Sequence, residues 1–261
     1  MRVLRVASSA VVLLSLAGCS TLPEGQKSTA PVTGPPEVEA ATIESHALQF
    51  DEEEPLRPAG TQEELAASAY ITAHVTQAGY VFRLDAVPVK DLVRSTNVVA
   101  LPPGGAQPEV IVVTGYDSTE SSEPNGHPIG VWLEVARALR VVDRDHGVQF
   151  VALGAEETAL GGGNLGSRRL AQQLADDQRD PAIVVVGPVD AAGERVEVAG
   201  DAEDGVVAAA SEAGVTARPA RGPIAPESTG AVFAAAGFDT TVVSGGAEAV
   251  GRALLAYLSA L

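Results

Sequence analysis

Two adjacent carboxylates, Glu156 and Glu157, come just after a continuous apolar run, Val148–Leu153. Such a run is typical of a strand buried on both faces, so the pair is predicted at a strand end. Asp117 follows another apolar run, and His127 lies in a polar stretch after it. Carboxylates and imidazoles are side chains that hold metal ions and transfer protons. These four residues are the candidates for chemistry. The glutamates are either a catalytic remnant or buried acids that bind backbone donors.

Apolar runs that alternate with helix-favouring segments would have to position these residues. Strands are predicted at Tyr80–Val87, Asn97–Leu101, Glu109–Thr114, Val148–Leu153, Ala182–Val186, Arg195–Val198 and Thr240–Val243, and helices at Leu65–Gln77, Val131–Val142, Leu165–Ala175, Asp204–Ala213 and Ala247–Leu258. Strands alternating with helices indicate an α/β fold. We expect a three-layer αβα sandwich with a mostly parallel mixed sheet.

The N-terminus has the pattern of a bacterial lipoprotein signal. Arg2 and Arg5 precede a short apolar run, Val11–Leu16, and Leu16-Ala17-Gly18-Cys19 follows. The run is too short to span a bilayer as a mature helix. We therefore predict cleavage after residue 18 and lipidation of Cys19, since several acyl chains anchor a protein stably. The predicted location is the bacterial cell membrane, with the domain on its extracytoplasmic side.

Residues 19–56 are predicted to form a flexible tether between the lipid and the domain. The stretch is rich in Pro, Ser, Thr and Glu and contains the acidic run Asp51–Glu54. Such a composition leaves little apolar surface to bury. His46, Leu48 and Phe50 allow a second interpretation, a short docking segment. The sequence thus divides into a signal peptide (1–18), a lipidated tether (19–56) and one folded domain (57–261).

Charge and cysteine content exclude some functions. The chain has a formal net charge of −17, and Cys19 is its only cysteine. So acidic a protein is a poor partner for nucleic acid. A domain without further cysteines has neither a disulfide nor a thiolate metal site.

Several segments, in order along the chain, resemble the metal-dependent aminopeptidases of metallopeptidase family twenty-eight. The segments that carry this resemblance are Arg57-Pro58-Ala59-Gly60-Thr61, Thr96–Ala100, Tyr116-Asp117-Ser118, Gly130–Leu139, Phe150–Glu157 with Gly166-Ser167, and Phe233–Gly237. The resemblance implies a zinc-exopeptidase-like fold. It also implies a reaction in which two zinc ions, bridged by a carboxylate, acidify a water that attacks a peptide carbonyl. A glutamate outside the ligand set would accept that water's proton.

The resemblance assigns roles to three residues that are present. Glu156 matches the general base, and Glu157 matches a carboxylate metal ligand. Asp117 matches the acid that orients the first ligand histidine, although that histidine is missing. The base and one ligand therefore remain as catalytic vestiges.

The other ligand positions of the family hold no donor atom. Gly115 stands where the first histidine is expected, Gly126 where the bridging aspartate is expected, and Gly230 where the last histidine is expected. No acid lies near Val184, where a further aspartate is expected. Glycine supplies no ligand and is expected to leave space. The one carboxylate ligand that remains cannot hold a catalytic zinc, which normally needs three protein ligands.

His127 is the one candidate for a substitute ligand. It follows Gly126 directly, so it could join Glu157 and Asp117 in a rebuilt site for one metal. Further carboxylates that such a site could use are Glu120, Glu123 and Asp190.

The main hypothesis is therefore a membrane-anchored pseudo-peptidase. Its eroded site would hold no cofactor, and its cleft would bind a peptide or an envelope protein. One alternative is an active zinc aminopeptidase with a rebuilt site, the only case in which zinc is expected. The other alternative is a structural envelope protein without a ligand. The predicted partners are the membrane, through the lipid, and a peptide or envelope protein, but not nucleic acid.

Overall fold

The structure is a computed structural model that describes residues 37–101, 107–120, 123–142, 147–157 and 162–261. The predicted signal peptide and Cys19 lie outside the described residues. The helices are α1 (Ala40–Leu48), α2 (Gln62–Gln77), α3 (Gly126–Leu139), α4 (Leu165–Asp176), α5 (Glu203–Glu212), α6 (Thr229–Ala235) and α7 (Ala247–Ala260), and a π-helical turn, Gln49–Glu53, extends α1. The strands are β1 (Val81–Lys90), β2 (Val93–Leu101), β3 (Pro108–Gly115), β4 (Gly147–Leu153), β5 (Ala182–Asp190), β6 (Arg195–Gly200), β7 (Thr216–Pro219) and β8 (Thr240–Gly246).

These eight strands form a single mixed sheet in the order β1-β2-β4-β3-β5-β8-β6-β7. The central pairs β4–β3, β3–β5 and β5–β8 are parallel, as is β6–β7 at one end. The pairs β1–β2, β2–β4 and β8–β6 are antiparallel. The predicted mostly parallel mixed sheet is confirmed.

Helices cover both faces of the sheet. One core joins the sheet to α1, α2, α3, α5 and α7 and includes the buried Trp132 and Phe150. The other core joins the sheet to α4 and α6 and includes Phe233. Successive strand residues point to opposite faces, so neighbours such as Val112 and Val113 enter different cores. The three-layer αβα fold predicted from the sequence is confirmed.

In the C-terminal half, two short elements were not predicted from the sequence, and helix α3 begins earlier than expected. The missed elements are the edge strand β7 and helix α6, which the Ser228 side chain caps by accepting a hydrogen bond from the Ala231 N–H at 3.3 Å. Helix α3 begins at Gly126 instead of Val131, with Pro128 in its first turn. A proline is tolerated there because the first N–H groups of a helix have no partner within it.

The N-terminal part of the described chain is folded, and this corrects the predicted tether. Ile43, Ala47 and Phe50, three or four residues apart, are each 1% exposed. They line one face of α1 and its π-helical turn, and α1 packs against α3 and α7. The predicted domain boundary at Arg57 is therefore wrong, because Ala40–Glu53 belongs to the domain. The apolar spacing of a helical face decides this better than the polar composition does.

Within the described ranges, no helix is both long enough and apolar enough to cross a bilayer.

Candidate functional site

Three of the four candidate residues meet at one edge of the sheet, where β3 and β4 end. Asp117 follows β3, and Glu156 and Glu157 follow β4. These two strands are parallel neighbours, so their carboxyl ends lie side by side. The open edge of an α/β sheet at strand carboxyl ends is the usual place for a ligand.

Asp117 ties the two strand ends together. It is fully buried, and its Oδ1 accepts the Glu156 N–H at 2.7 Å while its Oδ2 accepts the Glu157 N–H at 3.0 Å. Ala155, just before this pair, has a φ of 56°, a left-handed conformation that is costly for a residue with a Cβ. Burial raises the Asp117 pKa to about 8, so the proton is retained at neutral pH. Asp117 therefore acts as an anchor for a tight loop.

Glu156 has hydrogen-bond partners on both carboxylate oxygens. Its Oε1 accepts the Ser167 N–H at 2.8 Å, and its Oε2 accepts the Thr229 hydroxyl at 2.6 Å. The side chain is buried, and burial is the main cause of its raised pKa. Thr229 was missed from the sequence, although it directly precedes Gly230, a position already singled out there. The partners of Glu156 come from α4 and α6, so this carboxylate also holds helices together.

Glu157, in contrast, is exposed and lines a cleft of about 680 Å³. The other residues that line this cleft are Glu156, Gly162, Gly163, Asn164, Arg168, Glu227, Ser228, Ala231, Val232 and Ala235. The Asn164 amide donates to the Glu227 carbonyl at 2.8 Å and so joins the segment before α4 to the segment before α6. The cleft thus has acidic groups, one arginine and an apolar wall from α6.

A buried arginine lies between two of the positions that should carry metal ligands. Arg57 is 1% exposed, and its Nε donates to the Tyr116 carbonyl at 2.9 Å, next to Gly115. Its Nη2 donates to Asn125 Oδ1, next to Gly126. Its Nη1 donates to the Phe50 carbonyl at 2.5 Å and to the Glu54 carbonyl. Burial lowers the Arg57 pKa to about 10, so the guanidinium remains charged at neutral pH.

The space in front of Gly126 is filled by α1 and the turn that follows it. A Cβ on Gly126 would lie 2.5 Å from the Ala47 carbonyl oxygen and 2.7 Å from the Asp51 carboxyl carbon. Asp51 Oδ1 accepts the Gly126 N–H at 2.8 Å. One helical turn later, a Cβ on Gly130 would lie 2.6 Å from the Ile43 carbonyl oxygen. The two glycines therefore let α1 approach α3 closely, so the expected space at Gly126 does not exist.

Gly230 and Gly115 differ in how much room they leave. A Cβ on Gly230 would lie 2.7 Å from a Val242 methyl carbon, so this position is closed as well. A Cβ on Gly115 would meet the Glu156 side chain at 3.3 Å, which is tight but close to ordinary contact. Val184 is 1% exposed inside the sheet. Open space is therefore wrong at Gly230 as it is at Gly126.

The structure does not bring His127 to Glu157, so this predicted ligand pair is wrong. His127 lies in the first turn of α3, and its Nε2 is 3.0 Å from Glu44 Oε2 on α1. Its Nδ1 is 3.7 Å from Asp51 Oδ2. The His127 side chain therefore faces α1 and the turn that follows it. The described residues, which include Glu120, Glu123 and Asp190, contain no group of three or more His, Cys, Asp or Glu side chains able to hold a metal.

The residues at this edge do not fit a pair of zinc ions. A charged guanidinium already lies between two ligand positions and would repel a metal cation. Two of the glycines cannot accept a ligand side chain without displacing their neighbours. The sequence could have pointed to Arg57 only weakly, as a lone cation after the acidic run Asp51–Glu54.

Comparison with known proteins agrees with this architecture. Residues 97–214 match the model of peptidase family M28. The chain is similar to aminopeptidase YwaD of Bacillus subtilis, at 34% identity over 90 residues, which are 32% of this chain and only 19% of that protein.

Solved structures extend the similarity to most of the fold. A leucine aminopeptidase precursor from Bacteroides thetaiotaomicron superposes with a TM-score of 0.73 at 14% identity, over 87% of this chain and 98% of that one. The glutaminyl cyclase of Porphyromonas gingivalis superposes with a TM-score of 0.71 at 16% identity, over 85% of this chain and 98% of that one. The chain is thus similar to peptidase family M28 over residues 97–214 and shares the fold of these solved structures.

Proposed function

We propose that the chain is a lipid-anchored, extracytoplasmic member of peptidase family M28 that does not hydrolyse peptides and instead binds a peptide or an envelope protein. One observation carries this proposal. The Arg57 guanidinium and the Asp51 carboxylate, both from the N-terminal segment, occupy the region where the family's resemblance places metal ligands.

The state of Glu156 supports a non-catalytic role. A general base must accept a proton from a water, yet both Glu156 oxygens already accept hydrogen bonds from Ser167 and Thr229. Its pKa is raised by burial, which favours the protonated form. A carboxyl group whose two oxygens are held in this way is poorly placed to take a proton from a water.

The cleft beside Glu157 supports a binding role. Its volume, about 680 Å³, is in the range of small-ligand pockets. Glu157 and Glu227 bring negative charge, Arg168 brings one positive charge, and Ala231 and Val232 provide apolar surface. This combination suits the ammonium group and the first side chain of a peptide amino terminus.

Metal content and hydrolysis test the non-catalytic part of the proposal. The sample is chain 20–261, without the signal peptide and Cys19, since every described element lies within it. After purification in trace zinc, we expect no bound metal by elemental mass spectrometry and no release of amino acids from aminoacyl chromogenic substrates. Near-stoichiometric zinc that is lost in Glu157→Ala or His127→Ala, with chelator-sensitive turnover, would overturn the proposal.

Binding is tested with immobilised peptide libraries. Ala235→Trp places a large side chain on the exposed wall of the cleft, whereas Ala234→Trp, also exposed, lies outside the cleft lining. We expect wild-type chain 20–261 and Ala234→Trp to retain a common set of peptides that Ala235→Trp loses. Equal retention by all three proteins, or by none, would argue against a peptide-binding cleft.

Anchoring is tested separately in cells of a bacterial host. The support for it is the pattern Leu16-Ala17-Gly18-Cys19 after an apolar run. We expect the wild-type chain to partition into detergent and to incorporate labelled fatty acid, and Cys19→Ala to do neither. Incorporation of label by Cys19→Ala would refute lipidation at this cysteine.

A further inference from the structure

Strand β1 is an outer strand of the sheet and pairs only with β2 among the described residues. Within the described part of the chain, no strand takes up the N–H and C=O groups on its other side. Exposed edges of this kind pair readily with other chains unless something blocks them. Pairing from Val81 to Pro88 is regular, and an irregularity follows between Pro88 and Lys90.

The two ends of β1 differ in protection. Pro88, Lys90 and the irregular register are devices that block an edge, and all three lie at the end nearer the β1–β2 turn. The stretch Val81–Val87 has no proline, lysine or bulge. It also exposes apolar side chains: Val81 is 70% exposed, Leu84 is 51% exposed and Phe82 is 40% exposed.

We propose that this edge pairs with β1 of a second copy of the chain, antiparallel and about a two-fold axis at Leu84. In this register Leu84 faces Leu84 of the second copy, and Phe82 faces its Ala86. Val81 faces Val87. Phe82, Leu84 and Ala86 alternate along the strand, so they share one face and form a continuous apolar stripe across the axis.

Charge complementarity favours a second copy over an unrelated strand. In the same register Arg83 lies opposite Asp85 of the second copy, and the two-fold axis repeats this pair. Within one chain, Arg83 already contacts Asp85 through Nε–Oδ1 at 2.6 Å and Nη2–Oδ2 at 2.8 Å, so both side chains lie on the same face of β1. Every position from Val81 to Val87 therefore meets a compatible residue, which an isologous interface requires.

The interface is one strand pair wide, so association should be concentration-dependent. Sedimentation of chain 20–261 over a range of concentrations should show a reversible monomer–dimer equilibrium. Leu84→Arg places like charges across the axis and should weaken the dimer at least about 10-fold. Leu92→Arg, at the 94% exposed Leu92 in the turn after β1, is the matched control and should leave the equilibrium unchanged.

Charge reversal tests the register itself. Arg83→Asp alone and Asp85→Arg alone place like charges opposite each other, so each variant should be monomeric at concentrations where the wild type is dimeric. An equimolar mixture of the two variants should form a heterodimer, because acidic and basic strands then meet.

Three results would overturn the proposal. One is a wild-type monomer at all accessible concentrations. Another is a dimer that Leu84→Arg leaves intact. The third is dimerisation of chain 37–261 but not of chain 20–261, which would mean that residues 20–36 cover the edge. The proposal does not depend on the proposed function, since none of these measurements involves the cleft.

Discussion

The two sides of the candidate site differ in the residues that fill them and in the contacts that these residues make. On the side formed by β3, β4 and α6, Asp117 and Glu156 keep a dense set of hydrogen bonds that position the loop after β4. On the side formed by the start of α3, Gly126 contacts Asp51, and Arg57 bridges Asn125 to the N-terminal segment. The first side retains carboxylates with structural contacts, while the second side is filled by the chain's own N-terminal segment.

The comparison shows that the buried carboxylates present at this site also hold backbone groups in place. Asp117 accepts two backbone N–H groups, so its loss would leave buried donors unsatisfied whether or not a metal is present. At Gly126 the absence of a side chain allows α1 to pack closely.

Removing Arg57 should have the largest effect on stability, because its contacts hold the N-terminal segment against the start of α3. Arg57→Ala leaves the carbonyls of Phe50, Glu54 and Tyr116 without their donor in a buried site. We expect a loss of about 4 kcal/mol or more in the free energy of unfolding and a Tm lower by roughly 10 °C. Urea titration and calorimetry of chain 20–261 measure both.

The matched control is Arg169→Ala, which removes an exposed arginine and should change stability by no more than about 0.5 kcal/mol. If Arg57→Ala were as stable as this control, the guanidinium would not be holding the N-terminal segment in place.

Adding one methyl group at each glycine should rank the ligand positions by how far they are filled. Gly126→Ala meets a backbone carbonyl and should cost about 3 kcal/mol, Gly230→Ala meets side-chain methyls and should cost about 1–2 kcal/mol, and Gly115→Ala should cost less than about 1 kcal/mol. Gly222→Ala, with nothing within 4 Å, is the neutral control. Urea unfolding gives the order, and equal costs at Gly126 and Gly115 would contradict the difference between the two sides.

The pH dependence of the free energy of unfolding should report on Asp117, on the side formed by β3, β4 and α6. The ordinary Asp117 pKa of 3.8 is raised to about 8, so the folded chain holds a proton that the unfolded chain has lost. Stability should therefore fall as pH rises, by about 2 kcal/mol between pH 6.5 and 8, and level off above pH 8. His46 and His74, whose pKa values are lowered by burial, change stability mainly below this window, and near pH 6.5 they oppose the Asp117 slope.

Asp117→Asn should remove most of this slope, although it lowers stability at every pH because one backbone N–H loses its acceptor. Asp239→Asn, at an exposed aspartate, should keep the wild-type slope. Unfolding titrations at pH 6.5, 7.2 and 8 compare the three proteins. A wild-type stability that rises over this range would show that Asp117 is ionised in the folded chain.

The smallest effect is expected at Thr229. Thr229→Val keeps the shape of the side chain but removes the hydroxyl that donates to Glu156, and it should cost about 1 kcal/mol. Thr76→Val removes an exposed hydroxyl that donates to the Thr72 carbonyl and serves as the control. If both variants were equally stable, the hydrogen bond from Thr229 to Glu156 would not contribute to the free energy of unfolding.

The fold class could be predicted from the sequence because apolar runs and helix caps are local or periodic patterns. Val148–Leu153 is apolar at every position, and it forms a strand buried on both faces. Thr61 with Glu64 three residues later is the sequence pattern of a helix cap, and the Thr61 hydroxyl accepts the Glu64 N–H at 3.3 Å. Helix α1 was not predicted because the surrounding Pro, Glu and Thr residues obscured the spacing of its three apolar residues.

The candidate site was only partly predictable. The sequence placed Asp117 and the pair Glu156 and Glu157 after two predicted strands, and the structure shows that these strands are parallel neighbours whose ends meet. It could not show that Arg57 reaches Tyr116 and Asn125, since that contact joins residues far apart in the chain. Nor could it show which direction His127 faces, which depends on how α1 packs on α3.

If Cys19 is lipidated as proposed, the packing of α1 also limits how far the domain can stand from the membrane. If the chain were free from Cys19 to Arg57, that connection could reach at most roughly 130 Å at 3.3–3.6 Å per residue. Since Ala40–Glu53 is folded onto α3, only the residues before Glu37 can span the gap from a lipidated Cys19, a reach of at most roughly 60 Å. The cleft and the β1 edge would then meet only partners within this shorter distance of the bilayer.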